Sequence, residues 1–156
     1  MLRVRHLLPV VVIASAVAAA PAAAAPAEHW KSETNNGDEA YYSTKGKKLF
    51  NMSGYIPTTC VPSSGYPRSG STEFTPPGAF KVGKTRKATD TRYVPWWGDT
   101  DFHYRVTVKQ RRKGAWLVDR HVNYSYVEYR AMGGGVVDQT TWVCQGDDKF
   151  VHAPPR

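Results

Sequence analysis

The chain is 156 residues long, with 21 Lys and Arg against 13 Asp and Glu and a formal net charge of +8. That length allows one domain around one core. Thirteen glycines and eleven prolines interrupt it too often for long helices, and there is no internal repeat and no heptad.

Residues 1–27 read as a secretory signal peptide. Met-Leu-Arg-Val-Arg-His is a short basic start, residues 7–20 are an apolar run, and an alanine and proline stretch follows to Ala27. The apolar run falls short of the roughly 20 residues that a spanning helix needs. Cleavage after Ala24, Ala25 or Ala27 fits the small-residue pattern. The leader takes Arg3 and Arg5 and no acidic residue with it, which leaves +6 on residues 28–156. The mature chain is therefore expected to be secreted and extracellular, with no transmembrane segment. Its two cysteines, Cys60 and Cys144, predict a disulfide in that oxidising compartment. The bridge would close a loop of about 85 residues and tie an early segment to the last strand.

Residues 28–38 are polar around a single large apolar group, Trp30, and read as a flexible N-terminal arm. Residues 39–156 read as a single β domain. Tyr41-Tyr42 falls in a first short strand and Lys45-Gly-Lys-Lys48 in a turn. Residues 49–56 form a second strand broken by Gly54. Residues 57–70, rich in Pro, Ser, Thr and Gly, read as a long surface loop pinned at Cys60. Residues 71–74 are extended, Pro76-Pro77-Gly78 is a turn, and residues 79–82 are a short strand. Residues 83–92 read as a basic loop carrying Lys84, Arg86, Lys87 and Arg92.

The clearest signal spans residues 93–129. Phe102, Tyr104, Val106 and Val108 point one way, while His103, Arg105, Thr107 and Lys109 point the other. A period of two with aromatic and β-branched residues is the pattern of a half-buried strand. Gln110-Arg-Arg-Lys-Gly114 supplies a polar hairpin turn. Trp116, Val118, Val122, Tyr124 and Tyr126 carry the return strand, with a bulge or second turn expected at Asp119-Arg120. Gly133-Gly-Gly135 is a tight turn, and residues 136–145 are the last strand, ended by Asp147-Asp148. An isolated hairpin is marginal in water, so this unit must pack against more sheet. The fold class is all-β: a small antiparallel β-sandwich or partly open barrel with one disulfide.

No catalytic set assembles in this pattern. The stretch Thr75-Pro-Pro-Gly-Ala-Phe-Lys-Val82 resembles the Thr-Pro-x-Gly-x-Phe segment early in L,D-transpeptidase catalytic domains. That resemblance implies a wall-modifying cysteine enzyme. The family's Ser-His-Gly-Cys motif is absent, because Cys144 sits in Trp-Val-Cys-Gln, and the arginine that follows the motif is missing too. His29, His103, His121 and His152 have no ligand spacing, so neither a metal nor another cofactor is expected. Asp99 and Asp101 share a strand face but are not assigned as paired catalytic carboxylates.

The most substantial signal is a mixture of cations and flat rings. Arg86, Lys87, Arg92, Tyr93, Trp96 and Trp97 alternate charge with aromatics, and Arg111, Arg112 and Lys113 add a charged loop tip. At least one of Trp96 and Trp97 is expected in the core. With Trp30, these are the expected binding residues. The first reading is a secreted, non-enzymatic interaction module that binds another secreted protein as an adaptor or accessory subunit of an extracellular toxin or inhibitor assembly. The alternative is a binder of a polyanionic surface, a cell-wall polymer or nucleic acid.

Overall fold

The structure, a computed structural model, describes residues 25–154. The leader expected over residues 1–27 therefore lies outside the described residues except for its last three. The strands are β1 (Glu28–Glu33), β2 (Glu39–Lys45), β3 (Lys48–Pro62), β4 (Arg68–Glu73), β5 (Phe80–Lys81), β6 (Lys84–Val94), β7 (Gly98–Arg112), β8 (Ala115–Met132) and β9 (Val136–His152). They form one antiparallel sheet in the order β1-β2-β3-β9-β8-β7-β6, with β4 and β5 also paired to β3. The sheet is not closed. The all-β, antiparallel, partly open architecture agrees with the sequence reading. No helix among the described residues is long and apolar enough to cross a membrane.

Alternation makes the strands. In β7, Phe102, Tyr104, Val106 and Val108 are buried while Asp101, His103, Arg105 and Lys109 face water. In β8, Trp116, Val118, Val122 and Tyr124 continue the same inner face. The sheet folds over at β3. Its first half pairs with β2 and β5, and its second half with β4 and β9. Gly54 marks the bend at φ 138°, where the Glu39 carbonyl leaves no room for a Cβ. This brings β2 and β3 over β7, β8 and β9, and one apolar cluster fills the space. Phe74 meets Tyr104 edge-on at 5.1 Å, and Tyr42 packs on Phe150 at 4.9 Å. Each such side chain contributes roughly 1.5–3 kcal/mol by leaving water.

β9 interrupts its own apolar period twice, and both interruptions follow from what lies opposite. At Gly146, β3 passes so close that a Cβ would fall 2.5 Å from the Pro57 carbonyl oxygen. At Asp148, the register partner on β8 is Arg120. Arg120 Nε donates to Asp148 Oδ1 at 2.7 Å, Nη2 donates to Oδ2, and both side chains have 0% exposure. The guanidinium carbon lies 5.0 Å from the Phe74 ring and 5.4 Å from the Phe150 ring. Arg120 Nη1 is buried and has no hydrogen-bond partner among the described residues. Burial pushes the Asp148 carboxyl above its ordinary range, against the downward pull of Arg120.

Several sequence expectations change here. Asp119-Arg120 is neither bulge nor turn: β8 runs unbroken against β9, Asp119 faces outward, and the inward charge of Arg120 is met by Asp148. For the same reason Asp147-Asp148 does not end β9, which continues to His152. Residues 57–62 extend β3 instead of opening the loop, because β4 and β9 bond to its two edges. The expected basic loop over residues 83–92 is β6, paired with β7 along its whole length. As the end strand of the sheet it has a neighbour on one side only, so it tolerates charges that a central strand would not. Residues 28–33 are not a free arm but strand β1, paired residue for residue with β2. The expected Cys60–Cys144 disulfide is present, and the two cysteines are register partners on β3 and β9.

Candidate binding surface at the aromatic end

The β6–β7 turn is short, and its geometry is unusual for its residues. Trp97 N donates to Val94 O at 3.0 Å, which closes a β-turn over Pro95 and Trp96. Trp96 has φ 78°. Proline followed by a positive φ is the pattern of a type II turn, whose third position normally takes glycine. An L side chain there costs roughly 1–2 kcal/mol. The turn holds Trp96 outward with 92% exposure.

Trp97 turns the other way. Its ring stacks on Tyr126 with centroids 3.7 Å apart and planes 9° apart. Tyr126 continues to Trp142 at 6.2 Å, and the Arg68 guanidinium lies 4.2 Å from the Trp142 ring. The four groups come from the β6–β7 turn, β8, β9 and β4, so the stack binds those elements across the sheet. Trp142 Nε1 donates to Glu128 Oε2 at 3.0 Å, and Arg68 Nη1 lies 3.4 Å from the same oxygen. Burial raises the Tyr126 hydroxyl above its ordinary value. Beside the stack a groove of about 390 Å³ is lined by Tyr66, Arg68, Glu128, Asp138 and Trp142. Tyr66 stands at its rim with 90% exposure. Trp96, Tyr66 and the groove therefore lie at one end of the sheet. Trp97 is half-buried, which partly meets the expectation that one of the two tryptophans belongs to the core.

The other expected site residues are dispersed. Tyr93 is on the outer face of β6 with 74% exposure, register-paired with Asp99. Lys87 shares that face and pairs with Arg105. Arg86 points inward, donates to the Ala79 carbonyl at 2.7 Å and lies over the Phe80 ring at 5.5 Å. Arg92 is engaged by Asp90, Glu73, Thr75 and Tyr104, and fastens the segment after β4 to the β6–β7 hairpin. Arg111 and Arg112 end β7 and Lys113 begins the β7–β8 turn, at the opposite end of those strands from Trp96. Arg68, Tyr126, Glu128 and Trp142 were missed as site residues. The only sequence signal for them was an aromatic at each of two inward positions.

Trp30 is also far from the aromatic end. Its indole donates to Thr44 Oγ1 at 2.8 Å and meets His152 edge-on at 4.8 Å. His152 also packs on Trp116 at 4.5 Å and shares a 3.0 Å hydrogen bond with the Tyr42 hydroxyl. Burial lowers the His152 imidazole below its ordinary 6.5, against a weaker upward pull from Glu28. The unfolded chain then takes up a proton that the folded chain resists. That contribution to stability is complete above about pH 6.5 and is lost as pH falls below it. Melting His152→Gln alongside the parent between about pH 8 and about pH 5 should show the parent losing stability faster on the acid side. Parallel curves would exclude this role for His152.

Both cysteines are consumed in the disulfide and no free thiol remains. Among the described residues no group of three or more His, Cys, Asp or Glu side chains is placed to hold a metal ion. Asp99 and Asp101 are on the open outer face, where Asp101 accepts a 2.6 Å bond from Thr91. His103 bonds Thr89 and His121 bonds Asp147, so each is engaged by its own neighbour. A depression of about 630 Å³ on the outer face of β6 to β9 has mixed charges, including the His121–Asp147 pair at 2.6 Å. Comparison with protein-family models, curated proteins and solved structures finds no match.

Proposed function

We propose that the chain is an exported, non-enzymatic binding module whose aromatic end docks on another exported protein. In that role it is an adaptor or accessory subunit of an extracellular assembly. The observation that carries this reading is Trp96. A tryptophan held outward at 92% exposure, in a turn position that disfavours any L side chain, does nothing for the fold. Exposed tryptophan and tyrosine beside arginine are the usual anchors of protein interfaces. The stacked Trp97, Tyr126, Trp142 and Arg68 give that anchor a rigid base.

The test is capture of partners from the native culture supernatant at low and high salt, with the parent and with Trp96→Gly. The parent should retain one stoichiometric protein at high salt. Trp96→Gly should bind it about thirtyfold more weakly, corresponding to a loss of about 2 kcal/mol. The variant itself should be as stable as the parent, or more stable by up to about 1 kcal/mol, because glycine accepts the positive φ. Equal retention by both proteins, or recovery of no stoichiometric protein, would overturn the reading.

A further inference from the structure

Three turns that are distant in sequence meet at the end of the sheet opposite Trp96. Val82 N donates to Lys47 O at 3.0 Å and Gly83 N to Val108 O at 2.7 Å, which ties the β2–β3 turn and the β5–β6 turn to β7. Lys45 and Gly46 share a depression with Gly114 and Trp116, which adds the β7–β8 turn. The first turn carries Lys45, Lys47 and Lys48, and the second carries Lys81 and Lys84. The third carries Lys113, and the end of β7 that leads into it carries Lys109, Arg111 and Arg112. All nine cations are exposed, and among the described residues only Lys109 has an ion-pair partner, Asp119 at 3.4 Å. Glu28 lines the same depression as Lys45.

The arrangement is more than a count of charges. Lys45 pairs in register with Lys48, and Lys48 with Lys81. Three lysines therefore form a row across adjacent strands, spaced by about 4.8 Å. Like charges directly opposite one another are destabilising. Among the described residues none of the three has an ion-pair partner, so nothing internal offsets their repulsion. Seven of the nine cations are lysines, which act as point charges, and two are arginines, which would grip a phosphate bidentately. Among the described residues no aromatic ring at this end is fully exposed: Trp116 and Phe80 are buried, Phe50 is half-buried and Trp30 is packed against His152, so a base finds little ring to stack on.

We infer that this end is a binding site for a linear phosphodiester polymer recognised by its backbone charge and not by stacked bases. Poly(glycerol phosphate) is such a polymer. This site is independent of the aromatic end and goes beyond the protein-docking reading.

The test is titration of the mature protein with synthetic poly(glycerol phosphate) between about 50 and about 200 mM salt. The affinity should fall along a straight line in log–log form, with a slope near −4 if about six cations are neutralised. Combining Lys45→Gln, Lys48→Gln and Lys81→Gln should lower low-salt affinity more than tenfold and make the slope shallower by about 2. The same variant should melt no lower than the parent, because the row is self-repelling. Combining Arg105→Gln with Lys149→Gln, exposed cations on the outer face, should change affinity by less than about twofold. No binding at about 50 mM salt would overturn the proposal, as would equal losses in the two variants. Tighter retention of single-stranded DNA than of poly(glycerol phosphate) of equal charge would assign the site to nucleic acid instead.

Discussion

Replacing Asp148 with Asn should lower the unfolding free energy by about 3–5 kcal/mol. The cause is the charge left behind. Arg120 has 0% side-chain exposure, two of its nitrogens bond Asp148, and its Nη1 already lacks a partner among the described residues. An asparagine at the same place keeps the shape and loses the counter-charge. The rings of Phe74 and Phe150 on the guanidinium offset only a part of that loss. The complementary double variant, Arg120→Met with Asp148→Leu, removes both charges and the unpartnered donor together. It should lie within about 1–2 kcal/mol of the parent on either side. Chemical denaturation of the three proteins measures both values. An Asp148→Asn protein within about 1 kcal/mol of the parent would mean that the arginine reaches water or another acceptor.

Removing the disulfide should cost a similar amount, about 4–5 kcal/mol for a bridge with a sequence separation of 84. The bridge spans the seam where β3 meets β9, and that seam contains only four register pairs. Without it, the folded-over half of the sheet is held by the core cluster and by Thr34 and Asn35 against β9. Denaturant unfolding of Cys60→Ala with Cys144→Ala, and of the parent under reductant, should give the same lowered midpoint. Both should also show a steeper denaturant dependence than the oxidised parent, because the unlinked unfolded chain exposes more surface. A simple packing loss lowers the midpoint without that change in slope. Reduced and oxidised proteins within about 1 kcal/mol would show that the seam holds without the bridge.

The residues that were read correctly from sequence share a local cause. Phe102 to Val108 alternate, and alternation over a few residues decides which side chains leave water, whatever the neighbouring strand is. Misread segments also share a cause. Arg120 and Asp148 look like breaks in an apolar period until they are placed opposite each other, 28 residues apart in sequence. Residues 57–62 and 83–92 look like loops because proline, glycine and lysine dominate them, and only their bonding partners on β4, β9 and β7 make them strands. β1 lacks an apolar stripe, and its place comes from Trp30 reaching Thr44 and His152.

The candidate site divides in the same way. The cations of residues 111–113 were legible as a charged loop tip, and Trp96 and Trp97 as binding candidates of which at least one would be buried; that Trp96 is the exposed one was not. That the cations and Trp96 sit at opposite ends was not legible either, because hairpin polarity separates them by the length of β7. Nor was the aromatic–arginine stack, whose members come from four elements. The same holds for the lysine row, whose members lie on three strands.

By itself, then, the sequence determined that the protein is built of half-buried antiparallel strands and that its two cysteines are a pair, since period and cysteine count are properties of the chain read locally. Only the tertiary structure decided that Arg120 meets Asp148 in the core and that lysines from separate turns form one row. Strand order and register follow from the summed packing of all nine strands, and no single stretch of sequence carries that sum.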